Sequence, residues 1–136
     1  NSYWFLMNTE TGRPMRILES DTAPYGEFSP KIEMEDAGRK IAVPKEMEET
    51  GRLVVMKHLL DTNLHVNNAQ YVDIAREAVT CTKKVKEIRV DYKKAAVLGE
   101  VLIPRVTKTG EDERTIVLAG EDKEIRAVVW LKYEEA

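Results

Sequence analysis

The second half of the sequence contains one helix-length segment followed only by strand-length segments, and this order restricts the folds open to the chain. Between Asn67 and Thr80 apolar residues recur at helical spacing, and after Lys84 they alternate with polar residues as in a strand. The strand-length segments are 87–93, 100–107, 114–119 and 124–133. Because short joins make successive strands pair as hairpins and one helix covers only one face of a sheet, we predict an α+β domain with an antiparallel sheet.

A further strand and the start of the helix can be located upstream of these segments. Leu53–Met56 is an uninterrupted apolar run, which indicates a buried strand. A polar loop that begins at Asp61 leads into the helix, for which Asn67 or Asn68 is a suitable N-terminal cap. The apolar positions of the helix, which we expect to face the sheet, are Tyr71, Ile74, Ala75 and Ala78.

The first part of the sequence has a different character. Tyr3–Met7 is a dense apolar and aromatic run that predicts a strand, and Asn8–Gly12 is rich in turn-forming residues. Four of the five prolines lie between Arg13 and Gly51, which favours an extended connector with short helical turns near Arg16–Ser20. The sequence opens without a methionine and without a secretory signal pattern, so we expect it to begin inside a longer chain.

Length, charge and cysteine content narrow the possible functions. A chain of 136 residues suits one domain, or one domain with an arm. No apolar run reaches the roughly 18–20 residues of a membrane helix, so we expect no membrane partner. With a net charge of −3, the protein has no overall positive field that would attract a polyanion, which argues against nucleic acid as a partner. The single cysteine, Cys81, excludes an internal disulfide and favours the reducing cytoplasm.

The loop before the helix concentrates the residues best suited to chemistry. It reads Asp61-Thr62-Asn63-Leu64-His65-Val66-Asn67-Asn68, and Tyr71 follows in the helix. If this loop is extended, Asp61, Asn63 and His65 project to one side. The unpaired N–H groups of the first helical turn could there stabilise a developing oxyanion. The same residue types are common in turns and caps, so their spacing alone leaves both interpretations open.

A resemblance decides between them. The string DTNLHVNNAQY resembles the D-x-N-x-H-V-N-N-x-x-Y signature in the second hotdog domain of acyl-acyl carrier protein (acyl-ACP) thioesterases. The opening YWFLMNTETGRP is similar to the last strand and exit of that family's first hotdog domain. The resemblance implies a hotdog fold, in which an antiparallel sheet wraps around one long helix. It also implies that residues 1–12 are a remnant of the first hotdog, 13–51 a linker and 52–136 the C-terminal hotdog.

The same resemblance implies hydrolysis of a fatty acyl thioester on ACP, with no metal and no redox cofactor. The family's catalytic Asp, Asn and His fall on Asp61, Asn63 and His65. His65 could accept a proton from water or donate one to the leaving thiolate, Asp61 could orient His65 or act as nucleophile or base, and Asn63 could hold a water or the carbonyl oxygen. The expected substrate-binding residues are Val66, Asn67, Asn68 and Tyr71.

Two positions depart from the family pattern. Plant members carry a Glu-Cys pair where this sequence has Ala95 and Ala96, and many bacterial members keep the Glu. A cysteine nucleophile at Ala96 is therefore excluded, and the expected base or water-holding residue is missing at Ala95. Three explanations remain open: Asp61 and His65 suffice for catalysis, Glu100 takes the place of the missing Glu, or the activity is low.

Partners and alternatives complete the predictions. A basic stretch is either a solvated strand face or a docking surface for the phosphopantetheine-bearing acyl carrier protein, and it consists of Lys83, Lys84, Lys86, Arg89, Lys93 and Lys94. We expect a homodimer formed through the hotdog sheet or helix. The alternative functions are an acyl-CoA thioesterase of the same fold and a catalytically weak acyl-binding or interaction domain.

Overall fold

The computed structural model describes residues 6–27, 29–30, 33, 38 and 40–134. The chain divides into two compact units, residues 1–37 and residues 38–136. The first unit contains β1 (Leu6–Met7), β2 (Pro14–Met15), α1 (Glu19–Thr22) and a 3-10 turn at Ala23–Tyr25. The second contains β3 (Glu48–Glu49), β4 (Leu53–Val54), a 3-10 turn at Lys57–Leu59, α2 (Asn68–Glu77), β5 (Val85–Tyr92), β6 (Val101–Gly110), β7 (Glu113–Gly120) and β8 (Ile125–Tyr133). None of the described helices combines the length and the apolar character that crossing a bilayer requires.

The first unit begins with a small antiparallel hairpin. β1 pairs with β2, and the turn between them is closed by a hydrogen bond of 2.9 Å from Asn8 N–H to Arg13 O. Gly12 has a φ of 64°, which glycine adopts without steric cost. The predicted turn is thus confirmed. Of the predicted strand, Tyr3, Trp4 and Phe5 lie outside the described residues.

An antiparallel sheet forms the centre of the second unit. Among the described residues its order is β3-β6-β7-β8-β5, and β4 pairs with a second part of β6. α2 packs on one face, where its buried Tyr71, Ile74 and Ala75 join Leu118 and Leu131 in the core. The predicted strands from residue 100 onward are confirmed within three residues at each end, and so is the α+β class.

The opposite face of the sheet is covered by residues that precede β4. Ile41 and Met47 pack against Val117, Ala119 and Val128. β3 adds to the same region by pairing with residues 105 and 106 of β6. Part of the stretch predicted as a linker therefore lies on the sheet, while the assignment of residues 1–12, 13–51 and 52–136 to family segments remains a prediction.

Two predicted strands differ in detail from the structure. The run Leu53–Met56 was expected to be one buried strand, but β4 ends at Val54 and Met56 is 55% exposed. Val55 continues the pairing through bonds to Glu100 O and Gly99 N–H, and the chain then enters the 3-10 turn at Lys57–Leu59. In β5, Ile88 and Tyr92 lie on the predicted face but are nearly half exposed, since among the described strands β5 pairs with β8 alone.

Candidate active site

The N-terminus of α2 is closed by its own capping residue. The Asn67 side chain accepts a hydrogen bond of 2.9 Å from Ala69 N–H, which confirms the predicted cap. The main-chain oxygen of Asn67 accepts a second bond of 2.9 Å from Gln70 N–H. Two of the N–H groups expected to be free for an oxyanion are therefore already bonded.

The loop before α2 is a compact turn, so the extended conformation that would place Asp61, Asn63 and His65 on one side is not the one it adopts. Asp61 N–H donates to His65 O at 2.8 Å, and Leu64 N–H donates to Asp61 O at 3.1 Å. The Asp61 carboxylate accepts from Asn63 N–H at 2.8 Å and from His65 N–H at 3.2 Å. The physical reason is that a short Asp side chain bonds to nearby backbone in preference to leaving it extended. Asp61 and His65 are neighbours through this turn rather than through strand alternation.

The predicted site residues differ in their access to solvent. Asp61 is half-buried, whereas Asn63 and His65 are exposed. Among the predicted substrate-binding residues, Val66 and Tyr71 are buried, whereas Asn67 and Asn68 are exposed. The Asn68 carbonyl accepts a hydrogen bond of 2.9 Å from the Tyr92 hydroxyl.

A second segment, distant in sequence, lies against this loop. Ala96 N–H donates to the Tyr71 hydroxyl at 2.8 Å, and Val66 N–H donates to Ala96 O at 2.9 Å. The next residue, Val97, forms an antiparallel bridge with His65. The place where relatives carry the Glu-Cys pair is therefore beside the predicted catalytic loop, although Ala95 itself is exposed.

A buried arginine, which the sequence did not reveal, adjoins this segment. Arg126 is 3% exposed and bonds to Glu100 and Asp122. Burial alone would lower the pKa of Arg126, but its hydrogen bonds to Glu100 and Asp122 outweigh burial and raise it. The bond from Arg126 also lowers the pKa of Asp122. A signal was present in the sequence, since an arginine amid the apolar residues of a central strand requires partners.

Glu100 is not a free carboxylate. One of its oxygens accepts from Arg126, and the other accepts a hydrogen bond of 3.0 Å from Val97 N–H. Both oxygens are thus engaged in holding the protein together, which weakens the hypothesis that Glu100 replaces the missing family base.

Three tyrosines should make the fold sensitive to alkaline pH. Burial raises the pKa of Tyr71, Tyr92 and Tyr133 above the ordinary value of 10.0. For Tyr71, the negative charges of Glu100 and Asp61 add to the rise, while the Ala96 hydrogen bond and Arg126 oppose it. Because the folded state disfavours the phenolate, this stability contribution is complete below pH 10.0 and is lost as pH rises through the folded-state pKa values.

We therefore expect the urea-unfolding free energy to fall as pH is raised above 10.0, and to fall less steeply in Tyr92→Phe. The phenylalanine keeps the ring that packs edge-on against Tyr71 but has no hydroxyl to ionise. A stability curve that stays level from neutral to strongly alkaline buffer would contradict this prediction.

The basic stretch is largely paired within the protein. Lys83 donates a hydrogen bond to Asp112, Lys93 to Asp91 and Lys94 to Glu124, and Lys84 forms a longer ion pair of 3.8 Å with Glu134. The Arg89 guanidinium lies 5.9 Å from the centre of the Trp130 ring. These contacts favour the interpretation of a solvated, internally neutralised strand face.

Two cavities lie near the C-terminal end of α2. One, of about 370 Å³, includes Asp73 and Tyr133, and the other, of about 540 Å³, includes Ala78 and Val106. Neither includes Asp61 or His65. Within residues 40–134 and the other described positions, no group of three or more His, Cys, Asp or Glu side chains is arranged to hold a metal ion, and the expectation of a metal-free site stays a prediction.

Comparison with solved structures identifies the fold. The structure is similar to an acyl-ACP thioesterase from Bacteroides thetaiotaomicron, with 17% identity, a TM-score of 0.79, and coverage of 94% of this chain and 53% of that one. It is also similar to the 12:0-ACP thioesterase from Umbellularia californica, with 18% identity, a TM-score of 0.73, and coverage of 94% and 52%. A Staphylococcus aureus protein in complex with CoA matches at 17% identity and a TM-score of 0.59, over 68% of this chain and 77% of that one. The predicted hotdog fold is confirmed, and the chain spans about half the length of the two thioesterases.

Sequence comparison identifies the family. No curated protein sequence matches the chain. The family model described as the acyl-ACP thioesterase C-terminal domain matches residues 43–130, which is more than half of the chain and includes both the loop at Asp61 and the segment at Ala96. The chain therefore belongs to the acyl-ACP thioesterase family, and residues 43–130 correspond to its C-terminal domain.

Proposed function

We propose that the protein hydrolyses the thioester of a fatty acyl-ACP and releases the free fatty acid, with Asp61, Asn63 and His65 as its catalytic residues. The observation that carries this proposal is the match of residues 43–130 to the family's C-terminal domain. The position of the Asp61 turn beside the Ala96 segment supports it, because these are the two places to which the family's catalytic residues map.

In this mechanism His65 takes a proton from a water molecule as the water oxygen attacks the thioester carbonyl carbon. The carbon–sulfur bond then breaks, and the leaving thiolate receives a proton from His65. Asp61 fixes the backbone of His65 by accepting its N–H at 3.2 Å, which holds the base of the imidazole side chain in place. Asn63, which is exposed on the same turn, donates to the oxyanion or holds the water.

The carrier of the acyl group can be tested directly. We expect the complete protein to give a higher kcat/KM with an acyl-ACP than with the acyl-CoA of the same chain length. Equal or higher values with acyl-CoA would favour the second candidate, an acyl-CoA thioesterase, for which the similar Staphylococcus aureus structure with CoA is the specific support. No turnover of either thioester would favour an acyl-binding or interaction domain.

We further propose that the protein works in the cytoplasm as a homodimer formed through the hotdog sheet or helix. Exposed apolar side chains lie on the two segments of the candidate site, with Leu64 at 71% and Leu98 at 59% exposure. Clusters of exposed apolar side chains commonly mark protein interfaces. A monomer in sedimentation equilibrium at high concentration would contradict the homodimer.

Restoring the missing carboxylate should increase activity. Ala95 is exposed, so a longer side chain fits at this position without being buried. The position is next to the candidate site, because the following residue, Ala96, bonds to both Tyr71 and Val66. We expect Ala95→Glu to raise kcat by about tenfold or more, below the 100-fold to 10,000-fold range of an optimally placed general base. Ala95→Gln is the matched control because it has the same size but cannot take the proton. Equal kcat values in the two variants would contradict a role for a carboxylate here.

A further inference from the structure

A buried arginine is connected to the candidate site through one carboxylate. Arg126 Nε donates to Glu100 Oε1 at 2.8 Å, and Nη2 donates to the same oxygen. Nη2 also donates to Asp122 Oδ2 at 2.8 Å, and Nη1 donates to Glu124 O at 3.0 Å. Since a guanidinium is planar and its donors are fixed relative to one another, bonds to three residues determine both its position and its orientation.

Glu100 extends this fixed position to the segment beside the catalytic loop. Its Oε2 accepts from Val97 N–H at 3.0 Å, and Val97 bridges to His65. The preceding residue, Ala96, accepts the Val66 N–H at 2.9 Å. Consecutive contacts therefore connect the Arg126 guanidinium to the backbone of residues 65 and 66.

We propose that Arg126 and Glu100 are positioning residues, which hold His65 in place for thioester hydrolysis; this inference rests on the proposed function. Arg126 orients the Glu100 carboxylate, Glu100 anchors the 96–97 backbone, and that backbone sets the place of His65. The link matters because a displacement of about 1 Å at a reacting group can cost on the order of 100-fold in rate.

Two substitutions at Glu100 distinguish positioning from a role as general base. Gln keeps one oxygen, which can accept from Val97 N–H or from Arg126 but not from both, and it cannot take a proton at neutral pH; Ala keeps no acceptor at all. In the complete protein we expect Glu100→Gln to lower kcat by less than about tenfold, with the pH profile of kcat/KM unchanged, and Glu100→Ala to lower kcat by on the order of 100-fold. Loss of the low-pH limb of the profile in Glu100→Gln would identify Glu100 as the base and overturn the proposal, and so would wild-type kcat in Glu100→Ala.

Glu124→Gln is the matched control. The Glu124 carboxylate lies 3.6 Å from Arg126 Nη1 but makes no contact with the 96–97 backbone among the described hydrogen bonds. We expect this variant to keep wild-type kcat. A loss of kcat as large as in Glu100→Ala would mean that any charge around Arg126 matters, which would overturn the specific route through Glu100.

Amide hydrogen exchange tests the same link without turnover. In Glu100→Ala we expect faster exchange at the amides of Ala96 and Val66, whereas Ile116 in the centre of β7 should exchange as in the wild type. Unchanged exchange at Ala96 and Val66 would overturn the positioning role. Failure of the wild-type protein to hydrolyse any acyl thioester would instead contradict the proposed function, and the exchange rates would still decide whether Glu100 holds the loop.

Discussion

Replacing His65 by alanine in the complete protein is expected to lower kcat/KM for acyl-ACP hydrolysis by about 100-fold to 10,000-fold, the usual range for loss of a general acid–base group. The side chain is exposed, and the backbone of this residue is held by Asp61 and Val97 independently of the imidazole. The substitution should therefore remove the proton-transfer group while the fold stays intact. Steady-state hydrolysis and urea unfolding, measured on the same preparation, check both parts.

His58→Ala provides the matched control for this experiment. His58 is also exposed but lies on the 3-10 turn at Lys57–Leu59, outside the turn that Asp61 organises. We expect it to keep wild-type kcat/KM. Unchanged hydrolysis in His65→Ala would leave the proposed site without a role, and equal losses in both variants would point to an indirect effect on this region.

Most of the sheet could be predicted from the sequence because its strands are long and regular. In β7 the segment from Thr115 to Gly120 is buried on both faces, and an apolar run bounded by turns indicates such a strand without knowledge of its neighbours. The α2 cap at Asn67 is equally local, because a single amide and the N–H two residues later determine it. The burial of side chains on the edge strand β5 was harder to predict, since the exposure of Ile88 and Tyr92 depends on what lies beside that strand.

The conformation of the loop that carries Asp61, Asn63 and His65 could not be predicted from residue spacing. Alternation places residues 61, 63 and 65 together only in an extended chain, and the Asp61 carboxylate instead bonds to the backbone N–H groups of Asn63 and His65. The turn also requires Leu64 at a φ of 62°, which a β-strand or helix pattern does not anticipate for leucine. The family signature singled out Asp61, Asn63 and His65 as candidates, but the local hydrogen bonds of the Asp61 carboxylate determine how they are arranged.

The Arg126–Glu100 pair was missed for a different reason. The two residues are 26 positions apart, and only the order of the strands brings them together. Gly120 shows how closely the fold accommodates the pair, because a Cβ there would lie 2.7 Å from Arg126 Nη2. An arginine amid apolar residues indicates that partners are needed, but which residues serve as partners depends on the assembled sheet.

The same pair should dominate the stability of this region. We expect Arg126→Met to lower the free energy of unfolding by about 3 kcal/mol, the lower end of the range for breaking a buried ion pair. The lower end applies because Glu100 and Asp122, with 21% and 45% side-chain exposure, can regain some hydration once unpaired. Adding Glu100→Gln to this variant should recover part of the loss, since it removes the unpaired charge. Urea unfolding of the wild type and the three variants of this cycle measures each step.

Arg52→Met makes the same chemical change at the surface and is the control. Arg52 pairs with Glu49 and Glu121, but its side chain is 61% exposed. Exposed ion pairs contribute about 0–1 kcal/mol, because water already solvates both charges. Arg126→Met should therefore cost several times more than Arg52→Met. Similar losses in the two variants would mean that the Arg126 cluster is no stronger than an ordinary surface pair, and that it cannot hold the 96–97 backbone in the way its geometry indicates.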